Sequence, residues 1–283
     1  MNRFGTLIST AELAEVLGHP DLVVFDCRHD LARPEAGRRA YVANHIAGAQ
    51  FMHCDEDLSG PKTGVNGRHP LPDPDRFADL LAEKGVDNEC QVVAYDDADG
   101  IFASRLWWML RWLGHDDVAV LDGGFPAWID AGLPRDRGLE RRAASRFGYW
   151  LRRQQVVDTA AVAAGLANSA ILLLDARLPE RFRGENEILD PVAGHIPGSI
   201  NRFFGENIDA EGFFKPAAAL NDEFRVLLDG RDPGQIVHTC GSGVTACHNL
   251  LAMELAGLRG SRLYAGSWSE WCADPARPVA TGS

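Results

Sequence analysis

The sequence predicts an α/β protein made of one unit written twice, each unit a mostly parallel sheet with helices on both faces. Two observations carry that expectation. Short apolar runs of strand length alternate with segments of helical periodicity, and such alternation places crossover helices over parallel strands. Four blocks of sequence also recur in the same order, at an offset of about 145 to 150 residues. With 283 residues, 46% of them hydrophobic, each copy has enough apolar surface for a core of its own.

Taken in order, the first block is Val23-Val24-Phe25-Asp26-Cys27-Arg28, a buried-strand pattern that returns as Leu172-Leu173-Leu174-Asp175-Ala176-Arg177. Asn44-His45-Ile46-Ala47-Gly48-Ala49 returns as Gly194-His195-Ile196-Pro197-Gly198-Ser199, and a histidine that recurs beside a turn glycine in both copies reads as a structural contact. Val92-Val93-Ala94-Tyr95-Asp96 is a second strand, followed by a helix expected over 102–113; it returns as Ile236-Val237-His238-Thr239-Cys240. Trp107, Trp108 and Trp112 fall among Leu106, Met109, Leu110 and Leu113 at helical spacing, so they read as core and interface packing and not as an aromatic binding stripe. Leu121-Asp122-Gly123-Gly124-Phe125-Pro126-Ala127-Trp128 returns as Tyr264-Ala265-Gly266-Ser267-Trp268-Ser269-Glu270-Trp271. The expected division is a first copy over 1–138, a linker over 139–153 and a second copy over 154–283. Arg135, Arg137, Arg141, Arg142, Arg146, Arg152 and Arg153 crowd that boundary without hydrophobic periodicity, which reads as solvated linker more than as a docking patch.

The two copies part company at one loop. In the second, the strand runs into Cys240-Gly241-Ser242-Gly243-Val244-Thr245-Ala246, and a helical pattern of Leu250, Leu251, Met253 and Leu255 follows, with Gly257 at its stop. Glycines let such a loop curl so that successive N–H groups point at one sulfur, and the helix N-terminus adds partial positive charge there. Both effects favour thiolate, the nucleophilic form. A lone cysteine is otherwise a small buried hydrophobe, and Cys247, about two helical turns along, reads that way. In the first copy the corresponding position is Asp96, followed by Asp97, Ala98, Asp99 and Gly100. A carboxylate offers no thiolate. The first copy is therefore expected to be chemically silent, left to cover the second copy's site and lend residues to it.

The stretch Cys240 to Ala246 resembles the active-site loop of the rhodanese superfamily, in its 3-mercaptopyruvate sulfurtransferase form, and the likeness extends over both halves of the chain. It implies two tandem rhodanese-like domains, the first an inactive copy and the second catalytic. It also implies that Cys240 takes up sulfur as a persulfide, stabilised by N–H groups of the loop that holds Gly241, Gly243, Val244 and Thr245. Ser242 has an ordinary alternative as a helix cap. In the family the matching serine works with a histidine and an acid from the first domain. Those match His69, in Gly67-Arg68-His69-Pro70-Leu71-Pro72, and Asp55, with His53 or Asp57 as alternatives to Asp55. Such a relay has a purpose, because a pyruvate enolate must be given a proton. Arg181, followed by Phe182-Arg183-Gly184, matches an arginine that clamps the substrate's anion, a role that suits the guanidinium fork; Arg183 is its weaker neighbour, and a surface ion pair is the alternative reading. One departure stands out. Mercaptopyruvate sulfurtransferases carry a second arginine shortly before the Gly-His-Ile-Pro-Gly block, and here that region reads Glu187-Ile188-Leu189-Asp190-Pro191, which leaves the preferred donor open.

Composition narrows the remaining classes. A net charge of −12 argues against a nucleic acid or an anionic membrane surface as partner. No apolar run has membrane-spanning length, and the first residues lack the apolar stretch of a secretory signal. Six cysteines form no Cys-x-x-Cys pair, so neither a metal site nor a dithiol motif is expected, no cofactor is called for, and a cytoplasmic location fits. The expected activity moves sulfur from 3-mercaptopyruvate or thiosulfate through Cys240 to a thiol or cyanide acceptor, with a thioredoxin-like reductant as a further partner. A thiosulfate-preferring enzyme, a cysteine phosphatase and a non-catalytic sulfur carrier are the competing readings. A phosphatase needs an arginine at the end of the cradle, where Thr245 and Ala246 stand.

Overall fold

The computed structural model describes residues 2–282 and falls into two compact units. The first takes the chain up to Gly60, Pro72–Arg152 and Ala210–Phe214; the second takes Pro61–Leu71, Arg153–Asp209 and the chain from Lys215 onward.

In the first unit the strands are β1 (Leu7–Ile8), β2 (Leu22–Asp26), β3 (His45–Ile46), β4 (Gln50–Phe51), β5 (Gln91–Tyr95), β6 (Val118–Leu121) and β7 (Arg135–Asp136). The helices are α1 (Thr10–Val16), α2 (Glu35–Ala43), α3 (Pro74–Glu83), α4 (Ile101–Trp112) and α5 (Gly124–Asp130). Five strands pair in parallel in the order β1-β6-β5-β2-β4, while β3 and β7 form a separate antiparallel pair. Every residue of β2 and β5 is buried, as a strand covered on both faces requires. Trp107, Trp108 and Trp112 of α4 are buried too, so the tryptophans pack as core. The arginine-rich segment 139–152 has neither helix nor strand, yet it is fastened to this unit. Arg142 donates to the carbonyls of Pro20 and Leu22, and Arg152 pairs with Asp116.

The second unit holds β8 (Leu172–Asp175), β9 (Ser199–Asn201), β10 (Ile236–Thr239) and β11 (Arg262–Leu263), parallel in the order β11-β10-β8-β9. Its helices are α6 (Thr159–Ala167), α7 (Pro179–Arg183), α8 (Ala217–Leu228), α9 (Thr245–Leu255) and α10 (Ser267–Trp271). Asp175 pairs with Thr239, so β8 and β10 end level, and the segments that follow them emerge together at the carboxyl edge. That edge is where parallel α/β sheets bind ligands. Residues 61–71 come onto this unit through a close approach. Gly67 has φ +85, a Cβ on it would lie 2.8 Å from the carbonyl of Gly266, and the next N–H, that of Arg68, donates to Ser269 Oγ at 3.0 Å.

The repeat survives in side-chain detail. Asp26 holds Arg28 through Nε and Nη2, and Asp175 holds Arg177 the same way. His45 Nδ1 lies 2.8 Å from the carbonyl of Tyr41 and His195 Nδ1 2.8 Å from that of Phe182, each ring stacked on the aromatic beside it. Both histidines are structural contacts. All six cysteines are buried and none is in a disulfide, and no helix among the described residues is long and apolar enough to cross a membrane.

Candidate active site

Cys240 leaves β10 at the carboxyl edge of the second sheet, 1% exposed. The N–H groups of Gly243 and Ser242 point at its sulfur, at 3.0 and 3.5 Å. The loop holds that curl because it is pinned to α10 from below. Cys240 N–H donates to Ser267 Oγ, and the carbonyls of Cys240 and Gly241 accept from the N–H groups of Trp268 and Ser269. Gly243 sits at φ +80 with the Ala265 carbonyl 2.3 Å from where a Cβ would be, so a side chain there would push the loop off its support. Helix α9 begins at Thr245, with Val244 at the N-cap and no side-chain cap, and aims its N-terminus at the same loop. Ser242 does not cap that helix. Its hydroxyl lies 2.7 Å from His69 Nδ1, which residues 61–71 bring to this unit. Cys247 turns away to donate its thiol to the Gly243 carbonyl at 3.3 Å, a supporting contact.

Two guanidinium groups stand over the cradle. A Cβ on Gly241 would lie 2.8 Å from Arg68 Nη2 and 3.5 Å from both Nη atoms of Arg181. Arg181 is held through Nε and Nη2 by both oxygens of Glu187, and its Nη2 also reaches Asp190 Oδ2 at 3.2 Å. Arg68 donates through Nη1 to Asp190 Oδ1. The ion pair weighed for Arg181 therefore exists, but it is largely buried and not on the surface, and the same side chain still faces the cysteine loop. Burial works against the charge of Glu187. Its hydrogen bonds with Arg181 and the N–H groups of Leu189 and Asp190 outweigh that, holding it below the usual carboxylate range. Buried Arg177 has Glu187 at 3.6 Å; burial opposes its charge, but Asp175, Glu187 and the Cys240 sulfur raise its pKa. The sequence reading missed Arg68 as a site residue. Its signal was its place directly before His69 in a glycine-bounded loop.

Asp55 belongs to the first unit, where its carboxylate is 3.5 Å from His29 Nε2. Its two alternatives are engaged in their own turn: Asp57 accepts the His53 N–H, and His53 Nδ1 accepts those of Asp55 and Glu56. His29, His53 and Asp55 offer ligand atoms within 4.8 Å of one another, a spacing a metal could use. Two N–H donors on His53 Nδ1 leave the ring proton on Nε2, however, so that nitrogen has no lone pair for an ion. Arg183 pairs with exposed Glu185.

A Rhodanese-like domain matches this chain twice, over residues 9–131 and 158–274. The chain belongs to the rhodanese family. A Pseudomonas aeruginosa protein named "Probable 3-mercaptopyruvate sulfurtransferase" is 49% identical over 278 residues, 98% of either chain. A Bos taurus thiosulfate sulfurtransferase is 33% identical, over 95% of this chain and 92% of its own. The solved 3-mercaptopyruvate sulfurtransferase from Leishmania major has a TM-score of 0.84 at 29% identity, covering 94% of this chain and 74% of that one. Membership at this level makes the chain an enzyme of the sulfurtransferase class with two rhodanese domains in tandem. The phosphatase and sulfur-carrier readings give way to it.

Proposed function

We propose that this rhodanese prefers 3-mercaptopyruvate to thiosulfate and carries the sulfur as a persulfide on Cys240. The observation that carries the reading is Ser242 Oγ at 2.7 Å from His69 Nδ1, beside the sulfur cradle. Thiolate Cys240 attacks the donor sulfur, the C–S bond breaks, and its electron pair becomes pyruvate enolate. The enolate carbon takes a proton from Ser242, resupplied through His69, and leaves as pyruvate. Thiosulfate needs no such proton, since sulfite departs with the S–S electron pair. The donor carboxylate is received by Arg181 Nη1 and Arg68 Nη2, the edges turned toward Gly241. In the second half-reaction a thiol or cyanide attacks the outer sulfur and the electron pair returns to Cys240. A thioredoxin-like reductant as acceptor and a cytoplasmic setting complete the reading.

Steady-state kinetics with both donors test it. Wild type should show the higher kcat/KM for 3-mercaptopyruvate, and His69→Ala should lower that value by about a hundredfold while changing thiosulfate far less, within the usual range for one acid–base group. Equal losses for both donors would remove the proton relay, and thiosulfate as the better wild-type donor would remove the donor assignment. Asp55→Asn in the same assay decides whether that carboxylate takes part.

A further inference from the structure

We propose that Asp190 sets the choice of donor: its carboxylate ties the guanidinium of Arg68 to that of Arg181 and cancels the charge that would otherwise favour a dianion. This deepens the reading above and rests on it. One oxygen goes to each partner, Oδ1 to Arg68 Nη1 and Oδ2 to Arg181 Nη2. Two like charges thus meet over one glycine because a third, opposite charge lies between them. Asp190 is held in place in turn, its N–H donating to Glu187 Oε1 at 3.0 Å.

Exposure gives the arrangement its direction. The Asp190 and Glu187 side chains are 2% exposed, those of Arg181 and Arg68 14% and 28%. The acids lie behind and the guanidinium edges lie in front, facing the cysteine loop. Arg68 and Arg181 against Glu187 and Asp190 make a fork of no net charge. It offers directed N–H donors to a carboxylate but little field to reward a second negative charge, so a monoanionic donor loses nothing and thiosulfate loses most of the attraction two arginines would give. The chain carries this acid in the region where its family resemblance leads one to expect a base.

The test is Asp190→Asn, which keeps the shape and removes the charge. The ratio of kcat/KM for 3-mercaptopyruvate to that for thiosulfate should fall about tenfold, the effect of one unit charge at several ångström in a partly solvated site. The change should come mostly through a lower KM for thiosulfate, and added salt should erode it. Asp190→Glu, which restores the charge, should bring the ratio back. Wild type gives a measurement that needs no variant to fold: acetate should compete with donor at least as well as sulfate does. A ratio unmoved in a folded Asp190→Asn protein, or sulfate the better competitor of wild type, overturns the inference. Persulfide formation on wild-type Cys240 is scored separately. If it occurs while the ratio stays fixed, the role of Asp190 alone fails; if it does not occur, the proposed function fails first and this inference with it.

Discussion

In the first copy of the domain the loop after the central strand closes on two oxygens, and in the second the same loop closes on a sulfur. Asp96 accepts from the N–H groups of Ala98 and Gly100 on Oδ1, and from those of Phe102 and Ala103 on Oδ2, all at 2.8–2.9 Å. Cys240 accepts from Gly243 and Ser242. Burial pushes the Asp96 carboxyl above its ordinary value, with the four N–H donors pulling the other way. The fold thus builds an anion cradle twice. The atom placed in it differs: a carboxylate uses up its donors and has nothing to transfer, whereas a sulfur is the atom on which the proposed persulfide would form. The surroundings diverge accordingly. Acids Asp97 and Asp99 follow the first cradle, while guanidinium groups stand over the second.

The strongest way to break this comparison is Cys240→Ser. It should abolish transfer from either donor while the thermal midpoint stays within a few degrees of wild type; surviving activity would place the chemistry elsewhere. Next come the two arginines over the second cradle. Arg68→Ala and Arg181→Ala should each lower kcat/KM for both donors by roughly ten- to a hundredfold, since a charge-assisted contact contributes about 1.5–3 kcal/mol. An Arg68→Ala enzyme that works as well as wild type would return Arg68 to the status of a loop residue.

Asp96→Ala separates fastening from catalysis. Four N–H groups lose their acceptor, so stability should fall by about 2–4 kcal/mol in urea titration, while turnover per folded molecule stays within a few-fold. A loss of turnover comparable to that of Cys240→Ser would mean that the first copy shares in the chemistry. The smallest effect sharpens the electrostatics around the second cradle. Glu187 lies below its ordinary value of 4.5 when folded, so its contribution is present above about pH 4.5 and fades as pH falls through the folded-state value beneath that. Wild type should exceed Glu187→Gln in stability at neutral pH, with the gap closing in acid; a gap that widens in acid would reverse the sign.

Much of this was legible in the sequence because it rests on local signals. Buried parallel strands read as unbroken apolar runs, as in Val92-Val93-Ala94, and the cradle announced itself through the glycines flanking Ser242. The helix expected over 102–113 runs over Ile101–Trp112, started one residue earlier by Gly100 at φ +85. What stayed hidden depends on partners distant in the chain. Ser242 could be read locally as a cap, but its tertiary partner His69 wins the hydroxyl. Arg68 is marked in the sequence only by its place before His69, and the close approach of Gly67 to Gly266 brings it over Gly241. Arg142 read as solvated because periodicity says nothing of backbone carbonyls, such as those of Pro20 and Leu22, that a guanidinium can tie, whereas Arg141, Arg146 and Arg153 are exposed as expected.

If Cys240 is the sulfur carrier, the second cradle must be able to hold one further sulfur on it. Treating the wild-type protein with 3-mercaptopyruvate in the absence of acceptor, followed by mass spectrometry of its peptides, tests it directly. One added sulfur is expected on the peptide containing Cys240, removed again by cyanide with release of thiocyanate. A persulfide on Cys247 or Cys27 instead, or no added sulfur while pyruvate is still released, would contradict it.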